Sequence, residues 1–122
     1  MIYLYNIDDV LVKLKNSKFR NKFHLNEVMK QYVEEKGFDT IKLHAYDIIY
    51  DRLREAFPKN DGKQTPMKQV HPIFIAQHAC ACCCRGCLEK WHNISRGREL
   101  DTKEIDYIVR ILMEWIKREM EL

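Results

Sequence analysis

No apolar run in this chain approaches the ~20 residues that a membrane helix needs, so no membrane-spanning segment is expected. The N-terminus, MIYLYNIDD, lacks a basic stretch followed by a long apolar one, and a secretory signal is not expected either. Charge of one sign is scarce. The 21 basic and 18 acidic residues leave a net +3, too little by itself to argue for a nucleic-acid partner. Repeats, low-complexity tracts and dividing linkers are missing, so the 122 residues are expected to form a single domain spanning 1–122. An even, dispersed cysteine set is missing too. All five cysteines fall between positions 80 and 87, whereas a disulfide scaffold spreads an even number along the chain. Reduced thiols or a metal site fit better, and the expectation is a soluble cytoplasmic protein.

What is present is helical periodicity. Asn6 reads as an N-cap with Asp8 and Asp9 in the first turn, and Ile7, Val10, Leu11 and Leu14 follow at helical spacing, predicting a helix over 7–16. Asn26 caps a second helix that Gly37 stops. Asp39 or Thr40 opens a third, with the stripe Ile41, Ala45, Ile48, Ile49, Leu53 and Ala56, ended by Pro58. A long connection follows, with a turn signal at Asn60-Asp61-Gly62. The last helix starts at Asp101, and Glu104 three residues on makes a capping-box pair. With a helix from Pro72 to about Trp91, the sum is an all-α bundle of about five helices, with residues 1–5 offering one short N-terminal strand.

The stretch from His71 to His92, HPIFIAQHACACCCRGCLEKWH, holds every cysteine and three of the five histidines. On an unbroken helix, Ile73, Ala76, Gln77, Cys80, Cys83, Cys84, Cys87 and Trp91 project onto one face about 120° wide. Free cysteine behaves as a small buried hydrophobe, so this face reads first as core. His78, Arg85, Glu89 and His92 project within about 60° of one another on the opposite side. Two imidazoles, a guanidinium and a carboxylate suit acid–base or anion-binding work. The same four residues suit a solvated face with Arg85 and Glu89 paired. Cys82 projects to this side as a candidate reactive thiol.

A metal is the third reading. Cys84-Arg85-Gly86-Cys87 is a C-x-x-C, bracketed by His78 and His92, and zinc accepts two thiolates and two imidazoles. His78, Cys84, Cys87 and His92 are therefore the candidate ligands, with Cys83, Arg85 and Glu89 behind them. The four converge only if the helix breaks, and Gly86 is the obvious place. A second set, Cys80, Cys83, Cys84 and Cys87, shares one face and is completed by His71 or His44 from elsewhere. Outside this stretch, Lys13, Lys15, Lys18, Arg20 and Lys22 form the most basic run, a candidate phosphate or nucleic-acid contact. Phe19 and Phe23 within it are expected to point inward.

NDGKQTPM, HPIFIAQHA, CCRGCLEKWH, GREL and DYIV resemble the pattern of a family of small bacterial proteins described as a domain of unknown function. The likeness runs from RNKFHL through the last helix. That family carries threonine-like residues at Cys80 and Cys82, which leaves Cys83, Cys84 and Cys87 as the shared thiols. The resemblance implies a bacterial, cytoplasmic, single-domain protein and no particular activity.

Overall fold

The 19-residue helix α6 (Thr102–Met120) is the post against which the rest of the chain packs. Asp101 accepts from the Glu104 N–H while the Glu104 carboxylate accepts from the Asp101 N–H, so both ends of the capping box close. Tyr107, Ile108, Val109, Ile111, Leu112 and Ile116 then bury one face. Asp101→Ala is expected to lower stability by about 1 kcal/mol, read as a shift of the urea midpoint at unchanged slope.

The computed structural model describes residues 4–60 and 62–122. Among these residues it is all helical, with six α-helices, one 3-10 turn and no strand. Of the stretch expected as a strand, Leu4 and Tyr5 carry no regular structure, and residues 1–3 lie outside the described residues, as does Asp61 of the expected turn. None of the described helices is long and apolar enough to cross a membrane.

Helix α1 (Ile7–Lys15) starts at Asn6, whose side chain accepts from the Asp9 N–H, and buries Val10, Leu11 and Leu14. The 3-10 turn Arg20–Lys22 follows. Helix α2 (Glu27–Lys36) is capped by the Asn26 side chain on the Met29 N–H. Gly37, at φ +83°, makes the turn into α3 (Phe38–Leu53). Helix α3 therefore starts before Asp39 and stops before Ala56. Its buried stripe of Ile41, Ala45, Ile49 and Leu53 lies against α6. Helix α4 (Pro72–Ala79) is buried throughout and packs on α6, α2 and α3. Helix α5 (Arg85–His92) completes the set.

The expected single helix from Pro72 to Trp91 is two helices, and the break is not at Gly86. It falls at Ala81, which sits in the left-handed region at φ +57°. The N–H of Cys82 returns to the carbonyl of Gln77 at 2.8 Å, the six-to-one bond that ends a helix in a Schellman turn. Glycine ordinarily fills that position, because a Cβ there costs about 1–2 kcal/mol. The chain then reverses through Cys82 and Cys83, and Cys84 caps α5 with its sulfur on the Cys87 N–H. Gly86 sits inside the first turn of α5.

Candidate metal centre

Breaking the helix at Ala81 re-sorts the cysteines. Cys80 and Cys82 stay fully buried in the core, where burial raises both thiols well above their ordinary range and leaves them protonated. Cys82, expected as the exposed reactive thiol, is thus fully enclosed. Cys83, Cys84 and Cys87 come together at the start of α5, with all three sulfurs within 4.8 Å of one another. Among the described residues this is the one group of three or more metal-ligand side chains so gathered. Cys83 and Cys87 are half-buried and Cys84 is buried.

Arg20 reaches this cluster from the 3-10 turn. Arg20 as a residue is only 8% exposed. Nη1 donates to the His78 carbonyl at 2.7 Å and to Cys83 Sγ at 3.6 Å, and Nη2 donates to Cys87 Sγ at 3.1 Å. The His78 carbonyl belongs to the last turn of α4, where a backbone acceptor needs an outside partner. Burial works against the Arg20 charge. The hydrogen bond and the attraction to Cys83, with the attraction to Cys87 behind them, outweigh it and hold the group above its ordinary value.

The thiols respond in turn. Cys83 and Cys87 sulfurs lie 3.5 Å apart, in hydrogen-bond contact. The contact with Cys87 pulls Cys83 down, burial opposes, Arg20 adds to the pull, and the net is about 7. Cys87 is pushed up, first by that same bond and then by burial. Cys84 is raised by burial. Within the pair the pull is downward on Cys83 and upward on Cys87. The backbone is pinned as well, because Thr65 Oγ1 donates to the Cys83 carbonyl at 2.8 Å from the long connection.

The expected ligands divide. Cys84 and Cys87 stand with Cys83. His78 is buried beside the cluster, its ring stacked on Phe23 at 5.5 Å between centroids. Its Nε2 donates to the Pro66 carbonyl at 3.0 Å. Burial lowers its pKa, the hydrogen bond to the Pro66 carbonyl opposes, and the Arg20 charge adds to the lowering. His92 is elsewhere. It is fully buried, with Nδ1 2.8 Å from the Tyr107 hydroxyl and Nε2 2.8 Å from the Cys80 carbonyl. The structure does not gather His78, Cys84, Cys87 and His92 in one place. Nor does it bring His44 or His71 to the thiols. His71 Nδ1 accepts from the Ile73 N–H, so its Nε2–H donates to His44 Nδ1, 3.0 Å away.

The polar face expected from His78, Arg85, Glu89 and His92 does not form, because the first, second and fourth are buried. Arg85 does not pair with Glu89 but turns inward to backbone carbonyls, while Glu89 stays exposed and accepts from the Arg96 N–H. The basic run also changes. Lys13, Lys15, Lys18 and Lys22 remain exposed, while Arg20 is withdrawn into the thiol cluster. Phe19, expected inside, is 46% exposed, with the Lys22 ammonium over its ring. The only signal that could have set Arg20 apart is chemical. It is the one arginine among lysines, and a guanidinium offers a fork of donors that one ammonium cannot.

The family model described as "Domain of unknown function (DUF4186)" matches residues 8–117. No solved structure matches the chain.

Proposed function

The chain belongs to the DUF4186 family, whose description carries no activity, and from its own side chains we propose that it binds one zinc ion through Cys83, Cys84, Cys87 and His78. The observation that carries this is the convergence of three sulfurs within 4.8 Å. Zinc–sulfur bonds of about 2.3 Å at tetrahedral angles need sulfurs about 3.8 Å apart. The Cys83–Cys87 separation of 3.5 Å is close to that distance. Thiolates select soft or borderline cations, and zinc is the one for which a closed tetrahedral site is the rule.

His78 is the proposed fourth ligand by its tautomer; its ring is outside the group of atoms that lie within 4.8 Å of one another and must turn to reach the ion. With Nε2–H given to the Pro66 carbonyl, the neutral ring carries its lone pair on Nδ1. A histidine that binds metal through one nitrogen ordinarily gives the other N–H to a carbonyl or carboxylate. Arg20 fits the charge. Three thiolates and one zinc sum to a single negative charge, which the buried guanidinium offsets. Four protein ligands leave no open position, so the role is structural: the ion joins the end of α4 to the start of α5.

Reduced protein dialysed against zinc and then against buffer is expected to retain one equivalent by elemental analysis. Free zinc at a hundred times Kd should add about 3 kcal/mol of stability. Cys87→Ser and His78→Gln should each weaken zinc binding, measured by competition with a chromophoric chelator. The loss for Cys87→Ser should exceed about 100-fold, the upper end of what removing an outer partner costs. Reduced protein that holds no zinc and gains no stability from it overturns the reading.

A further inference from the structure

We propose that Cys83 and Cys87 are also a peroxide-responsive dithiol, which closes reversibly to a disulfide. Three observations carry it. The two sulfurs are 3.5 Å apart, already in contact. As whole residues both are only partly buried, while Cys80, Cys82 and Cys84 are buried. A buried guanidinium is aimed at both sulfurs, at 3.6 Å and 3.1 Å. A protonated thiol is a weak acceptor, and a guanidinium that gives N–H groups to sulfur out of water stabilises thiolate far better than thiol. Thiolate is the form that attacks an O–O bond. One nitrogen of that guanidinium also satisfies the His78 carbonyl at the end of α4, and the other donates to Cys87 Sγ.

The reaction balances with a hydroperoxide as oxidant. The Cys83 sulfur attacks the terminal oxygen of ROOH. An S–O bond forms, the O–O bond breaks, and RO⁻ leaves and takes up a proton as ROH. Cys83 is then a sulfenic acid. The Cys87 sulfur, having lost its proton, attacks the Cys83 sulfur. The S–S bond forms, the S–O bond breaks, and hydroxide leaves as water. Two thiols are oxidised by two electrons, and the peroxide is reduced to alcohol and water. The disulfide uses two of the sulfurs proposed for zinc, so oxidation and metal binding exclude each other. The dithiol chemistry needs the thiols but not the metal, and metal-free protein separates the two.

The experiment treats reduced, chelator-washed protein with one equivalent of hydrogen peroxide. Thiols are counted after denaturation, and tryptic peptides are mapped. Cleavage after Arg85 places Cys83 and Cys87 on different peptides. The expected result is loss of two of the five thiols and a cross-link that persists in Cys84→Ser and vanishes in Cys83→Ser. In Cys87→Ser, a sulfenic acid should accumulate at Cys83 and be trapped by a cyclic diketone. A thiol reductant should restore all five thiols. No cross-link, a cross-link that requires Cys84, or a sulfenic acid at another cysteine overturns the proposal. Failure to bind zinc leaves this result unaffected.

Discussion

Arg85→Met is expected to lower the stability of the fold by about 4 kcal/mol, out of the 5–15 kcal/mol typical of a single domain. Arg85 is 1% exposed. Nη1 donates to the carbonyls of Leu53 and Glu55, and Nη2 to those of Ser95 and Arg98, all between 2.7 and 3.2 Å. Leu53 is the last residue of α3 and Glu55 lies just beyond it, so the guanidinium sits at the negative end of that helix. It ties three segments together: the start of α5, the end of α3 and the turn after α5. Its charge also helps hold the buried Glu104 carboxylate below its ordinary range, where burial is outweighed chiefly by the Arg98 hydrogen bond. Methionine fills much of the same volume but gives no donor, and it leaves four carbonyls to find water or go without. A hydrogen bond to a charged group contributes about 1.5–3 kcal/mol. Four do not add, because the 95–98 turn can open and admit solvent, and about 4 kcal/mol is the expected remainder. Arg85→Lys should fall between the two, since one ammonium with three donors cannot span four carbonyls. Urea unfolding at pH 7.5 measures all three proteins. A loss below 1 kcal/mol for Arg85→Met would mean that the carbonyls are satisfied without it.

The same residue shows where the sequence is transparent and where it is not. Helices α1, α2 and α6, read from caps and periodicity, start where they were expected, while α3 starts earlier, at Phe38, and stops sooner, at Leu53. Asn6, Asn26 and Asp101 each hold the N–H that their position calls for, and the α6 stripe is buried. These are local effects, set within four residues of chain. The three gathered thiols lie within the stretch that concentrates thiols and imidazoles in the sequence. Its internal arrangement was not legible, for one reason. The projection assumed a continuous helix, and a single alanine in the left-handed region rotates everything after it. Residues that project to a solvated face on one helix, Arg85 and His92, become buried on two. The contacts that stabilise that turn are long-range: Arg20 on the His78 carbonyl, Thr65 on the Cys83 carbonyl, Arg85 on the end of α3. None lies within ten positions of its partner, so no window of sequence could show them. The resemblance to a domain-of-unknown-function family, read from RNKFHL through the last helix, is borne out by the match over 8–117, and it carried no geometry.

Between pH 6.5 and 4, His92 is expected to remove about 3 kcal/mol of stability. Its ring is fully buried. The Cys80 carbonyl accepts from Nε2–H, so Nδ1 is the acceptor for the Tyr107 hydroxyl, and the neutral ring satisfies both partners. Burial pushes its pKa down to about 4 from an ordinary 6.5, against the Cys80 carbonyl and with the repulsion of Arg20 behind it. The other groups around it do not compensate. Tyr107, Cys80 and Cys82 are all raised by burial and stay uncharged throughout this window. Above pH 7 both folded and unfolded states hold His92 neutral, and it costs nothing. As pH falls through 6.5 the unfolded chain takes a proton that the folded one refuses, so stability drops. The drop ends near pH 4, where the folded ring also protonates. A shift of about 2.5 units at 1.36 kcal/mol each is about 3 kcal/mol. His71, lowered to about 4 by burial and by His44, acts in the same direction in the same window, so the wild-type slope alone does not isolate His92. His92→Gln does. It should be less stable at pH 7.5, having lost one of two buried hydrogen bonds, and its stability should fall less steeply with acid. The two curves should converge by about 3 kcal/mol between pH 7 and pH 4. The measurement is urea unfolding at half-unit pH intervals, with the His92 ring carbon shift followed by NMR in the folded protein. Parallel curves, or a folded-state titration near 6.5, would show that the imidazole is not held neutral by its place in the core.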